Sequence, residues 1–167
     1  MKHFALDHRH EQTVLEERCN SITCGVGFCL SLAALVILIV SASRVGDAWR
    51  IVGVSIYGTS LALLFLCSTL YHSISSKKAK YVFEILDHCT IYVLIAGTYT
   101  PFTLVALHGP WGWSLFGAVW GLAVLGIVFK VIFISRFRVC AAVVYLLMGW
   151  LVVVAVRPLL QHVAAAG

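Results

Sequence analysis

Residues 22–43 read ITCGVGFCLSLAALVILIVSAS and contain no Asp, Glu, Lys, Arg or His. A helix needs about 20 residues to cross a hydrocarbon core of about 30 Å, so this stretch is long enough to span a bilayer. Four more uncharged stretches of similar length follow at residues 51–71, 89–107, 111–129 and 139–156. The sequence therefore predicts an all-α fold, a polytopic transmembrane helix bundle with five spans.

The overall composition also points to a membrane. Of 167 residues, 61% are hydrophobic and 11% are charged, whereas soluble domains carry about 25% charged residues. The net charge of +5 does not indicate nucleic-acid binding, because the Lys and Arg residues lie in short clusters between apolar stretches. Six cysteines form no C-x-x-C pair, which argues against zinc fingers and thioredoxin-like folds. The expected partners are membrane lipids and not nucleic acid.

The basic residues predict how the spans are oriented. We expect residues 1–21 to be a cytosolic lead-in, residues 22–157 the transmembrane domain and residues 158–167 a short tail. With the N-terminus inside, nine Lys and Arg residues lie on the cytosolic side and three lie outside. This bias follows the positive-inside rule. The expected location is the cell membrane.

The fourth stretch contains a G-x-x-x-G step, Gly117 and Gly121. This spacing allows two transmembrane helices to approach closely. The step is therefore a candidate contact for a homo-oligomer. The alternative is chance, because such steps are common in apolar helices.

Polar side chains cluster around the end of the second stretch and the start of the third. Ser68 and His72 are four residues apart, which places them on one face of a helix. Asp87 precedes the third stretch, and three lysines lie between it and His72. If the two helices are antiparallel neighbours, the three side chains lie at a similar depth near the cytosolic boundary.

These residue types suit a metal-dependent hydrolytic site. Imidazole and carboxylate groups bind zinc, so His72 and Asp87 are candidate metal ligands. Asp87 is also a candidate catalytic residue, because a carboxylate can orient a metal-bound water, and the Ser68 hydroxyl can hold that water or a developing oxyanion. The structural alternative puts His72 at headgroup level and makes Asp87 the N-cap of the third helix. Zinc normally needs three or four protein ligands, and no further ligand is evident in the spans.

Two charged residues border the spans. Lys130, at the inner end of the fourth stretch, is expected to snorkel to lipid phosphates. Glu17, together with Asn20, lies just before the first stretch, and the two are expected either to cap the first helix or to fold back under the bundle.

Three blocks of sequence carry a family resemblance: STLYH at residues 68–72, LDHCTIY at residues 86–92 and AGTYTPF at residues 96–102. Their order and spacing strongly resemble the hemolysin III family, the bacterial branch of the progestin and adipoQ receptor superfamily. Weaker similarity extends from about residue 16 to residue 150. The resemblance implies a bacterial inner-membrane protein with seven helices, of which the five spans form the front part.

The resemblance also implies roles for the polar residues. By similarity, His72 is a zinc ligand, Asp87 holds the metal-bound water and Ser68 supports it. The family's H-x-x-x-H pair on the seventh helix is not found here, and Cys24 stands where many members have a histidine. We therefore expect an incomplete metal site, and either a C-terminally truncated chain or a protein that works without zinc.

Three functions are compatible with these residues. The first is a zinc-dependent hydrolase, since related eukaryotic receptors are thought to hydrolyse ceramide-like amides. The second is a pore-forming cytolysin, as the family name suggests, although no span carries a continuous polar stripe. The third is a receptor or a component of membrane homeostasis that binds a ligand without catalysis.

Overall fold

The computed structural model of the protein describes residues 13–132 and 138–165. This part of the chain contains no strand and forms five α-helices, which are α1 (Val14–Val45), α2 (Ala48–Ser73), α3 (Lys77–Pro101), α4 (Pro110–Ile132) and α5 (Arg138–Ala165). A π-helical segment, Phe102–Ala106, prolongs α3. The predicted all-α architecture is confirmed.

Four of the described helices are long and apolar enough to cross a membrane: α1, α2, α3 with its π-helical segment, and α4. Helix α5 contributes a shorter apolar stretch, Ala141–Val153. Large apolar side chains face outward on α1 and α4; Ile37 is 65% exposed and Leu125 is 66% exposed. Exposing each such side chain to water would cost about 1.5–3 kcal/mol, whereas lipid tails accommodate it. The chain is thus a multi-pass membrane protein.

Helix α1 begins at Val14, well before the apolar stretch that starts at residue 22. The Thr13 side chain accepts a hydrogen bond from the Glu16 N–H, and the Glu16 carboxylate accepts one from the Thr13 N–H at 2.7 Å. This capping box extends the helix into the predicted lead-in. Glu17 lies in the first turn, so the prediction that it caps the helix is wrong.

Helix α3 also begins early, at Lys77, with Ser76 as its N-cap. The charged segment between the second and third apolar stretches is therefore mostly helical, and only residues 74–76 link α2 to α3. Apolar side chains at helical spacing between the charged ones allow the helix to form there. Asp87 lies inside α3, which excludes the alternative that it caps the third helix.

Consecutive helices pack against one another, and α5 contacts α3 and α4. The short links make neighbouring helices antiparallel, so the end of α2 meets the beginning of α3. The core between α3, α4 and α5 contains Tyr92, Val119 and Met148, all fully buried. Tyr99 fastens α3 to α5: its hydroxyl lies 2.9 Å from the Met148 carbonyl oxygen and accepts a hydrogen bond from the Val152 N–H at 2.8 Å.

Glycines allow α2 and α3 to approach closely. A Cβ atom at Gly97 would overlap the Ser60 hydroxyl, and one at Gly53 would lie 2.9 Å from Pro101 Cα. Ser60 donates its own hydrogen bond to the Tyr57 carbonyl at 2.7 Å, so its hydroxyl is satisfied within α2. The contact therefore depends on the missing side chain of Gly97 and not on a bond between the helices.

We expect Gly97→Ala to lower the free energy of unfolding by about 1–3 kcal/mol, because the added methyl group forces packed helices apart. Gly117→Ala is the matched control, since no atom lies within 4 Å of a Cβ atom built there. Helix propensity should make that change neutral or stabilising by up to about 1 kcal/mol. Thermal unfolding in detergent measures both; an equal loss in the two variants would contradict the close α2–α3 contact.

Candidate functional site

The end of α2 and the first half of α3 bring together the polar side chains that the sequence singles out. Ser68 and His72 lie one turn apart on α2, and Asp87 lies on the neighbouring α3. The Ser68 hydroxyl lies beside the Asp87 carboxyl, and that carboxyl interacts electrostatically with His72. The three residues thus form one cluster, in which their metal-binding and catalytic roles stay predictions.

Helix α1 adds a fourth residue that spacing alone does not reveal. The Cys24 sulfur lies 3.4 Å from the Ser68 hydroxyl oxygen and donates a weak hydrogen bond to it. Ser68 is therefore held between a thiol on α1 and a carboxyl on α3. We call Cys24, Ser68, His72 and Asp87 the polar cluster. In the sequence, the only indication that Cys24 belongs to this cluster is that many members of the resembled family have a histidine at its position.

His72 is the unusual member of the polar cluster. Its Nδ1 atom is buried and has no hydrogen-bond partner among the described residues. Its ring packs edge-on against Tyr71, with ring centroids 4.7 Å apart. A buried polar atom without a partner costs about 1–3 kcal/mol. Such an atom fits a metal ligand, because coordination would supply the missing partner.

The polar cluster contains only some of the protein ligands that a zinc ion requires. His72 and Asp87 offer an imidazole and a carboxylate, which are ordinary zinc ligands. Within residues 13–132 and 138–165, however, no three His, Cys, Asp or Glu side chains converge closely enough to hold a metal ion. The described residues supply two protein ligands, and a stable zinc site needs more.

An ion pair lies at the end of the bundle next to the polar cluster. The Lys80 ammonium on α3 bonds to the Glu17 carboxylate on α1, and both side chains are mostly shielded from solvent, at 28% and 29% exposed. The same ammonium lies 5.5 Å from the centre of the Tyr71 ring. His72 lies within electrostatic range of both charges. This ion pair joins the first helix to the third close to His72.

Two sequence predictions concern α4: the prediction for Lys130 is wrong, and the one for the G-x-x-x-G step is not tested. Lys130 is 6% exposed and lies on the same face as Ala123 and Gly126, which pack inward. The prediction that Lys130 snorkels to lipid phosphates is therefore wrong. Gly117 and Gly121 lie on the exposed face with open space in front of them, so a homo-oligomer through this step stays a prediction.

Sequence comparison adds an independent observation. The model of the Haemolysin-III related family matches residues 12–167, which include every member of the polar cluster. The chain belongs to this haemolysin-III family. The family resemblance predicted from three sequence blocks is thus confirmed.

Two bacterial haemolysin-III relatives match most of the chain. The chain is 53% identical over 155 residues to the Hemolysin-3 homolog of Bacillus subtilis, covering 93% of this chain and 73% of that protein. It is 49% identical over 159 residues to Hemolysin-3 of Bacillus cereus, covering 95% and 73%. A more distant relative is the human Monocyte to macrophage differentiation factor, 29% identical over 109 residues, or 62% of this chain and 46% of that protein. No solved structure matches the chain.

The ion pair over the polar cluster should contribute measurably to stability. A double-mutant cycle with Glu17→Gln and Lys80→Met is expected to give a coupling energy of about 1–2 kcal/mol, because the pair is shielded and joins separate helices. The control pair is Asp47 and Arg50, 4.0 Å apart and 37% and 46% exposed. Its coupling should lie at about 0–0.5 kcal/mol. Unfolding in detergent measures both cycles, and coupling no larger for Glu17 and Lys80 would contradict the expectation.

Proposed function

We propose that this haemolysin-III protein is a zinc-dependent hydrolase of the membrane and that the polar cluster forms part of its site. The observation that supports this most is the buried, unpartnered Nδ1 atom of His72, next to a carboxyl and a hydroxyl. His72 and Asp87 would hold the metal together with ligands from outside the described residues. Bound zinc would lower the pKa of a water ligand and polarise an acyl group, such as a lipid amide.

The protein's own residues would prepare this chemistry by holding the side chains of the polar cluster in fixed positions. Ser68 lies beside Asp87 and would help to orient the carboxyl. Cys24 in turn restricts Ser68 from the side of α1. The ion pair of Glu17 and Lys80 joins α1 to α3 and acts electrostatically on His72. Side chains that their neighbours already hold in place reduce the reorganisation that a reaction requires.

We also propose that the polar cluster faces the cytosol from the bacterial inner membrane. The exposed Lys77 and Lys78 begin α3 at this end of the bundle. Trp49 and Trp113 lie together at the opposite end, with ring centroids 5.5 Å apart. The positive-inside rule favours the lysine end as cytosolic, and tryptophans suit either interface.

Zinc analysis of the purified protein tests the proposal. The wild-type protein is expected to retain zinc, His72→Ala to lose it, and Asp87→Asn to bind it about 10–100-fold more weakly. His108→Ala is the control, because His108 lies at the other end of the bundle and its Nδ1 atom is 2.9 Å from the Leu104 carbonyl oxygen. Zinc content that is unchanged in His72→Ala would refute the proposed metal site. Zinc binding without turnover of any lipid amide would favour a receptor role.

A cytolytic pore is the second candidate, because one relative carries the name Hemolysin-3. The packing of the described helices gives little support to a pore within a single chain. Tyr92, Val119 and Met148 are fully buried where α3, α4 and α5 meet, which leaves no polar channel through this core. A pore would therefore require several copies.

We expect liposomes that contain the protein to retain a trapped dye at every protein-to-lipid ratio, because the described core is closed. Release that grows with protein loading would contradict this expectation. Release that also disappears in Gly117→Ile or Gly121→Ile would favour a pore assembled through α4, where these two glycines are exposed. An unrelated multi-pass protein reconstituted in the same way is the control.

A further inference from the structure

A cleft of about 460 Å³ lies beside the polar cluster, between the first turns of α1 and the end of α2. Its polar wall includes Arg18, Ser21, Ser73 and Ser75, and His72, a member of the polar cluster, also lines it. Its apolar wall includes Val14 and Ile22, which are 71% and 68% exposed. The α1–α2 cleft therefore offers both polar and apolar contacts at the end of two spans.

The charges around the α1–α2 cleft favour an anion. Glu17 also lines it, but its carboxylate is bonded to Lys80. Arg18 is exposed and forms no ion pair with any residue that the structure describes. Lys77 and Lys78 are exposed at the same end of the bundle and add positive potential. Among the described residues that line the cleft, the charge without an ion-pair partner is thus that of the Arg18 guanidinium group, which can bind phosphate oxygens with two parallel hydrogen bonds.

Hydroxyl groups line the side of the cleft where α1 meets α2. The Ser73 hydroxyl donates a hydrogen bond to the Thr69 carbonyl oxygen at 2.7 Å and accepts one from the Ser21 hydroxyl at 2.6 Å, so this pair joins the two helices. Ser75 lies just before Ser76, the N-cap of α3, whose side chain does not cap the helix. The Ser76 hydroxyl therefore does not occupy the first N–H groups of α3, and the N-terminus of a helix favours a negative charge nearby.

The apolar wall decides which kind of anion fits. Val14 and Ile22 are at helical spacing with Arg18, so one face of α1 carries apolar side chains on either side of the guanidinium. A phosphate attached to acyl chains would satisfy both walls, whereas a free phosphate would leave the apolar wall unused. Basic pockets between transmembrane helices bind anionic headgroups in this way.

We infer that the α1–α2 cleft binds the phosphate headgroup of an anionic phospholipid, with Arg18 as its principal contact. This lipid binding does not require the zinc chemistry proposed above. It would place a lipid headgroup against His72, the residue that lines the cleft and also belongs to the polar cluster.

Thermal stability of the full chain in a neutral detergent tests the inference. Added phosphatidylglycerol should raise the unfolding temperature saturably, whereas phosphatidylcholine, whose choline offsets the phosphate charge, should have a much weaker effect. Arg18→Gln should weaken the apparent affinity for phosphatidylglycerol about tenfold, because it removes a charge-assisted contact. Arg50→Gln, at the other end of α2, should respond like the wild-type protein.

The same measurements identify outcomes that overturn the inference. The inference would be overturned if Arg18→Gln had the same apparent affinity for phosphatidylglycerol as the wild-type protein. It would also be overturned if Arg50→Gln lost as much of this affinity as Arg18→Gln does. An equal temperature shift with inorganic phosphate alone would assign the cleft to free phosphate instead of a lipid. Asp87→Asn should keep the lipid response, and Arg18→Gln should keep its zinc, so failure of the lipid site and failure of the zinc site remain distinct.

Discussion

The absence of water inside a bilayer is the constraint on which this structure depends. Every buried polar group must find its partner within the protein. Hydroxyls in the described spans do so locally: Ser31 donates to the Phe28 carbonyl oxygen at 2.7 Å, and Thr100 donates to that of Ala96 at 2.9 Å. Two buried side-chain atoms in the described part lack a partner, His72 Nδ1 and the Tyr92 hydroxyl. Tyr92 packs at a tilted angle against Tyr145 in the core, whereas His72 lies beside a carboxyl, and for this reason the proposed function rests on His72.

The same constraint explains how much of the fold the sequence predicts. Uncharged stretches about 20 residues long have few alternatives to spanning helices, and the five predicted stretches lie in helical segments except for Leu107, the last residue of the third. The ends were less predictable, because capping and amphipathic spacing extend helices through charged residues. Lysines before Asp87 resemble a loop in composition, yet α3 already begins at Lys77. Lys130 resembles a residue at a membrane boundary, but the inward face that it shares with Gly126 buries it.

The candidate site was predictable only where local spacing determines geometry. Ser68 and His72 share a helix face because they are four residues apart, and a short antiparallel link brings Asp87 near them. Cys24 and Glu17 come from α1, and their partners Ser68 and Lys80 lie 44 and 63 residues away along the chain. Contacts of that separation leave no periodic signal in one sequence. They depend on how α1 packs against α2, which apolar patterning does not specify.

The ion pair of Glu17 and Lys80 links the electrostatics of the polar cluster to those of the α1–α2 cleft. Glu17 lines the cleft, and a carboxylate without a partner there would cancel the charge of Arg18 and repel a phosphate. Lys80 lies near His72, and an ammonium without a counter-ion would oppose a metal cation. Pairing the two neutralises both effects at once. One contact between α1 and α3 thus leaves the cleft suited to an anion and the neighbouring cluster suited to a cation.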